Sequence, residues 1–183
     1  MNRKYLLALS IFTFLLLTTA QSFASGSDSD EPETKKADAK SEYQKGVGHM
    51  DNAKAILLKG DSAFAYNYRA TSDAKAKKEF EKAINSFQEA LSHDPTMKEA
   101  YNNIGFCYRK IGEFGKSLAS YQNALALDKD FAQAREYLGE TYLALDSLDR
   151  AMEQLDYLKQ LKSTQADTLA LAIASYKLDK MKK

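Results

Sequence analysis

Residues 98–131 read KEAYNNIGFCYRKIGEFGKSLASYQNALALDKDF. Tyr101, Ile104, Gly105 and Tyr108 recur at helical spacing and predict an amphipathic helix. Gly112 breaks the pattern. Phe114, Leu118, Tyr121, Ala124 and Leu125 then form a second stripe of the same period. Neither helix can bury its stripe alone, so each needs a neighbour.

Repetition supplies the neighbours. Thirty-four residues beyond Ala100, Ile104, Gly105 and Tyr108 stand Ala134, Leu138, Gly139 and Tyr142. Phe80, Phe114 and Leu148 share one phase, as do Ala83, Ser117 and Ala151, and Phe87, Tyr121 and Leu155. Tyr176 falls one period after Tyr142. Self-similarity at this interval marks a helix-turn-helix solenoid.

The stretch resembles the tetratricopeptide repeat (TPR). The family pattern of aromatic, Leu-Gly, Tyr, Ala, Phe, Ala and Pro is met by Tyr101, Ile104-Gly105, Tyr108, Ser117, Tyr121 and Ala124. Lys129 stands where the closing Pro is expected, although the preceding unit has Asp94-Pro95. Small residues at Gly105, Gly139, Ala83 and Ala124 let helices approach, and Phe87 and Tyr121 fill the space between them. The resemblance implies an all-α, right-handed α-solenoid of about three repeats, the first degenerate and carrying an insertion, with a C-terminal capping helix.

The chain of 183 residues begins with Arg3 and Lys4, an apolar run from Tyr5 to Leu17, and Ser22-Phe23-Ala24. That order predicts a secretory signal peptide over 1–24, cut after Ala24. The alternative, an uncleaved anchor, is disfavoured because the run is short of the roughly 20 residues a spanning helix needs. Without residues 1–24, 24 basic residues face 25 acidic ones. A near-neutral domain gives no electrostatic case for nucleic acid or an anionic membrane. Cys107 is the only cysteine, so no internal disulfide framework is expected and the thiol reads as a packed side chain. The short signal and disulfide-free export point to a bacterial periplasm.

Residues 25–42 hold no large apolar residue and are expected to be a flexible polar linker. The TPR domain is expected over 43–183, with repeats at 43–97, 98–131 and 132–165 and the capping helix at 166–183. Its first helix is predicted from about Ser41 to Lys59, ending at Gly60-Asp61, and the next from Ala74 to His93. Anchored on Tyr43, the first unit carries about 24 extra residues by comparison with the second. The insertion either extends the helices or covers the groove. In repeat three, Arg135 replaces the early aromatic and Asp146 the turn glycine. In the last helix Leu169, Ala172, Ile173 and Tyr176 face inward, and Lys177, Lys180, Lys182 and Lys183 suit a polar outer end.

In a TPR array the first helix of each pair lines the concave groove. By resemblance, the groove positions are Asn102, Asn103, Phe106, Arg109 and Lys110 in repeat two. In repeat three they are Gln133, Glu136, Glu140 and Leu143. Asn103 holds the place that often bonds a peptide backbone, and an amide both donates and accepts. Phe106 would add apolar contact and Arg109 a fork for a carboxylate; the charged residues read equally well as a solvated face. The family's carboxylate clamp lacks its basic partners, which should fall near Gln133 and Tyr137. The histidines, His49 and His93, have no metal-ligand spacing, and there is no phosphate loop or nucleophile elbow. No cofactor, metal or active site is expected. The resemblance implies a protein–protein interaction module whose partner is another protein or peptide. The alternative is self-association through the aromatic insert 62–71, with Phe64, Tyr66 and Tyr68.

Overall fold

The computed structural model describes residues 31–60 and 69–182. The expected leader 1–24, the start of the linker, and Phe64, Tyr66 and Tyr68 lie outside them. The chain divides into two compact units, Met1–Thr34 and Lys35–Lys183. Of the first only residues 31–34, at the start of a helix, are described; all other described residues belong to the second.

The described residues form seven helices and no strand: α1 (Glu31–Gly60), α2 (Ala74–His93), α3 (Lys98–Ile111), α4 (Phe114–Leu127), α5 (Ala132–Ala144), α6 (Leu148–Gln160) and α7 (Gln165–Met181). From α2 onward consecutive helices pack on one another across short turns, and the first helices α3, α5 and α7 also touch in succession; α1 packs on α2 through Gly46 and Tyr43 against Phe87. One expected boundary moves. Helix α1 starts at Glu31, so residues 31–42 of the expected linker are helical. The stretch is too polar to make a core, yet Glu33, Lys35, Lys36, Ala37 and Lys40 are good helix formers. Pro32 lies in the first turn, where its missing N–H costs nothing, and Ala39 is buried.

Close approach within the first two hairpins rests on glycine. A Cβ on Gly105 would lie 2.7 Å from the Tyr121 ring, and one on Gly46 would lie 2.6 Å from the Phe87 ring. Phe87 and Tyr121 share a phase, so Gly46 is the counterpart of Gly105. Glycine and ring are 41 residues apart in the first hairpin and 16 in the second, an insertion of 25. Tyr43 therefore sits one place later than the repeat's first aromatic, and the insertion lies between Gly46 and Phe87. Part of it prolongs α1 to Gly60.

The turns repeat as faithfully as the helices. Glu113 N–H donates to the Tyr108 carbonyl and Gly112 N–H to that of Arg109, with Gly112 left-handed at φ 91°. One period later Ser147 donates to Tyr142 and Asp146 to Leu143, so Asp146 takes the same conformation at φ 57° without being glycine. The end of α6 repeats it again, with Lys162 at φ 53°. This geometry satisfies the carbonyls that a helix end leaves open. Between hairpins, Asp94 Oδ1 accepts from Thr96 N–H, and Asp128 Oδ1 accepts from Asp130 N–H. That side-chain turn is common to both sites, which is why Lys129 can replace proline.

Two apolar cores result. One gathers Met50, Ala53, Leu57, Phe80, Phe87, Ile104 and Phe106; the other gathers Tyr121, Leu138, Leu155, Leu158, Leu169, Ile173 and Tyr176. Tyr137 packs against both. Cys107 is wholly buried in the first core, and burial pushes its thiol pKa far up, so it stays protonated and unreactive. Helix α7 buries Ala166, Leu169, Ile173 and Tyr176 as the cap is expected to, while Ala172 is half-buried. On its outer side Lys177, Lys180 and Lys182 are exposed as expected, but Leu171, Leu178 and Met181 are exposed there too.

Two substitutions test this packing. Gly105→Ala drives a methyl into the Tyr121 ring and should destabilise the domain by about 1–3 kcal/mol. Lys162→Gly relieves a left-handed residue and should stabilise it by about 0.5–1 kcal/mol. Urea denaturation followed by helical circular dichroism measures both; a neutral Gly105→Ala would mean that close approach at this glycine is not required.

Candidate functional site

The expected site residues come together on the face made by α1, α3 and α5, except Leu143, which is buried in the core shared with α7. They are far less open than a peptide groove suggests. Asn102, Phe106, Arg109, Lys110, Glu136 and Glu140 are all buried, and Asn103 is half-buried. Phe106 is enclosed by the Phe80 ring at 6.0 Å and the Tyr137 ring at 5.5 Å, with Lys54 Nζ of α1 5.3 Å from its centre. It belongs to a core and not to an open apolar patch.

Arg109 is the centre of a buried ionic cluster. Its side chain is 1% exposed and reaches from α3 to Glu140 on α5, Nη2 to Oε2 2.6 Å. The guanidinium also lies 5.4 Å from the Phe106 ring centre and 5.6 Å from that of Tyr137. Burial opposes its charge, but the Glu140 carboxylate together with Tyr121 and Tyr137 outweighs that, so it stays firmly protonated. A planar fork suits this task better than an ammonium would. The expected carboxylate fork is thus engaged within the protein, with Glu140 in the place of a ligand's carboxylate.

The other two charges of the cluster are strained by their surroundings. Burial, and then the Glu140 charge, push the Glu136 pKa up to about 7, with Arg109 only partly offsetting them. Burial and the neighbouring Arg109 push the Lys110 ammonium well below its ordinary range, with Glu140 opposing. Both effects favour neutral side chains over charged ones in a low-dielectric site.

A line of polar side chains runs along the same face at the other end of these helices. Asn103 Nδ2 donates to the Tyr43 hydroxyl of α1 at 3.1 Å. Asn102 Nδ2 lies 3.4 Å from both Asn103 Oδ1 and Gln133 Oε1, and Gln133 Nε2 lies 3.4 Å from the Tyr137 hydroxyl. Bonds of 3.4 Å are long and weak. Asn102 Oδ1 has no hydrogen-bond partner among the described residues, an unusual state for a buried amide. Gln133 is exposed, and Tyr43 and Tyr137 are half-buried. The roles of Tyr43 and Lys54 are hidden from the repeat pattern. The insertion puts α1 out of phase, and Tyr43 reads as an ordinary core aromatic.

Elsewhere, a cavity of about 430 Å³ is lined by Phe114, Leu143, Ala144 and Tyr176. At its rim Arg69 pairs with Asp179 at 2.5 Å and Lys180 with Asp146 at 2.6 Å. His49 is held by Glu79 at 2.8 Å. Among the described residues no group of three His, Cys, Asp or Glu could hold a metal ion, and no helix is long and apolar enough to cross a membrane.

Residues 99–131 match the family model of the tetratricopeptide repeat. This stretch is a tetratricopeptide repeat, and the fold around it is an all-helical, TPR-like repeat. Among solved structures it is similar to TTC0263, a thermophilic TPR protein in Thermus thermophilus. The two are 26% identical, with 93% of this chain and 89% of that one covered and a TM-score of 0.51. It is also similar in fold to the first TPR of Spaghetti (RPAP3), at 16% identity, 72% and 92% coverage and a TM-score of 0.50. No curated protein matches the chain.

The raised Glu136 pKa has a testable sign. A folded-state pKa above the ordinary carboxyl value means that the fold favours the neutral acid, so stability falls as pH rises from about 4.5 through about 7. Glu136→Gln removes that penalty. Thermal melts should show the variant more stable than wild type at pH 8, by no more than about 3 kcal/mol, and indistinguishable at pH 4. A wild type that is favoured at pH 8 would instead make the ionised carboxylate a stabilising partner of Arg109.

Proposed function

We propose that the chain is an exported TPR adaptor that holds an extended segment or a helix of another envelope protein on the face formed by α1, α3 and α5. The observation that carries this reading is the polar line Tyr43–Asn103–Asn102–Gln133–Tyr137, with its long bonds and the unpartnered Asn102 Oδ1. Amides that are poorly satisfied by one another gain from an added backbone N–H or C=O. Exchanging such bonds reads an extended peptide without reading its sequence. The first TPR of Spaghetti (RPAP3), of similar fold, is bound to the HSP90 peptide SRMEEVD. In this chain Gln133 and Tyr137 replace basic side chains, and Arg109 is taken by Glu140, so an acidic peptide terminus is a poor match. Of the site residues, Asn102, Asn103 and Gln133 contact the partner in this reading. Phe106, Arg109, Lys110, Glu136 and Glu140 hold α3 and α5 together beneath it.

Export rests on the leader pattern at 1–24, and an envelope partner follows from export. Both are tested in one experiment. A photo-reactive phenylalanine is introduced at Asn103 or Gln133, with Gln122, exposed on α4, as the control position. The chain is irradiated in cells, which are then fractionated. Adducts from 103 and 133, absent from 122, should appear in the envelope fraction on a chain shortened at Ala24. Gln133→Ala should lower the yield from the probe at 103, and Asn103→Ala that from the probe at 133, about tenfold. Adducts that form equally at 122 would move the contact off this face, and a full-length cytoplasmic chain would end the export reading.

A further inference from the structure

Helix α7 turns Ala166, Leu169, Ile173 and Tyr176 toward α5 and α6, and its opposite side carries a pattern of its own. Leu171 and Leu178 are 72% and 57% exposed, two turns apart on one face. The small, exposed Ala174 and Ser175 lie between them. One further turn outward on the same face stand Asp167 at the N-terminal end and Lys182 at the C-terminal end, both exposed. In chain order, the face is acid, leucine, two small residues, leucine, base. It is symmetric in position about the Ala174–Ser175 bond and antisymmetric in charge. Neither Asp167 nor Lys182 has a side-chain ion pair among the described residues.

We propose that this face docks a second copy of the chain, two α7 helices pairing antiparallel about a twofold axis through the Ala174–Ser175 bond. In that register Leu171 meets Leu178 of the second copy, and Asp167 meets its Lys182. Each contact occurs twice, as an isologous interface requires. The small central residues let the helix axes approach, and Met181, 83% exposed, widens the apolar seam. Leucines and flanking charges at these spacings make the seam of a short antiparallel coiled coil. A parallel pair would place Asp167 against Asp167 and Lys182 against Lys182, so charge selects the antiparallel arrangement. A helix of 17 residues is about 25 Å long. Its contact falls short of the roughly 1,200 Å² of a standard interface, so association is weak and concentration-dependent.

The surface is remote in sequence from the aromatic insert 62–71 and independent of the peptide-binding reading. Sedimentation velocity on the full chain, as recovered from cells expressing it, decides it between about 5 and 500 µM, the range that a weak interface spans. Wild type should shift from monomer toward dimer across that range. Leu171→Glu with Leu178→Glu should raise the dissociation constant at least about tenfold, with helicity unchanged because both positions are exposed. Asp167→Lys and Lys182→Asp should each weaken the dimer, and the two together should restore it. A wild type that stays monomeric throughout overturns the proposal, as does a dimer that ignores the leucine pair. If the leucine variant fails to fold, the charge swaps decide: a double swap no better than the single ones overturns the antiparallel register and the proposal with it.

Discussion

The contact on which this structure depends is a ring laid against bare backbone. Phe87 over Gly46 and Tyr121 over Gly105 occupy space that any Cβ would fill, and each sets how closely the two helices of a hairpin pack. Apolar burial drives the helices together without direction. The glycine–ring pair supplies the distance and the register. A third glycine, Gly139, is used differently: the Leu169 side chain of α7 packs over it, so the same device seats the last helix on the array.

Polar groups add what apolar packing leaves undecided. The Arg109–Glu140 pair spans two neighbouring first helices from a site where both groups have left water. Its attraction is balanced against a large desolvation cost, so its value lies in holding one pairing more than in net stability. The strain of that arrangement is visible in Glu136 and Lys110, whose charged forms are both disfavoured nearby. The polar line from Tyr43 to Tyr137 is the looser counterpart at the other end of the same face.

Much of this is legible in the residues themselves. The interval from Phe80 to Phe114 to Leu148 places α2, α4 and α6 in phase, and Gly112 and Asp146 mark the turns. Three things are not legible. Gly46 is concealed because the insertion breaks the phase that would align it with Gly105. The helix over 31–42 escapes a reading by core residues, because a stretch without them can still have strong helical propensity and attach to a helix that is packed. Periodicity assigns Phe106, Arg109 and Glu140 correctly to one face, yet it carries no information about what lies over that face. Phe106, for one, is covered by Lys54 and Tyr137, brought there from distant parts of the chain.

The division of the interior into two cores gives the array a mechanical character. A solenoid with one continuous interior bends as a uniform rod, sharing any change of curvature among all its interfaces. Here the described apolar contacts thin out between α3 and α5, where Tyr137 bridges the two cores and Arg109 grips Glu140 beside it. The α3–α4 hairpin, where the Tyr121 ring lies on Gly105, ties the two halves together. In the polar line Tyr43, Asn103 and Asn102 stand on one side of that division and Gln133 and Tyr137 on the other, so a small change in the α3–α5 spacing opens or closes the single Asn102–Gln133 link between them.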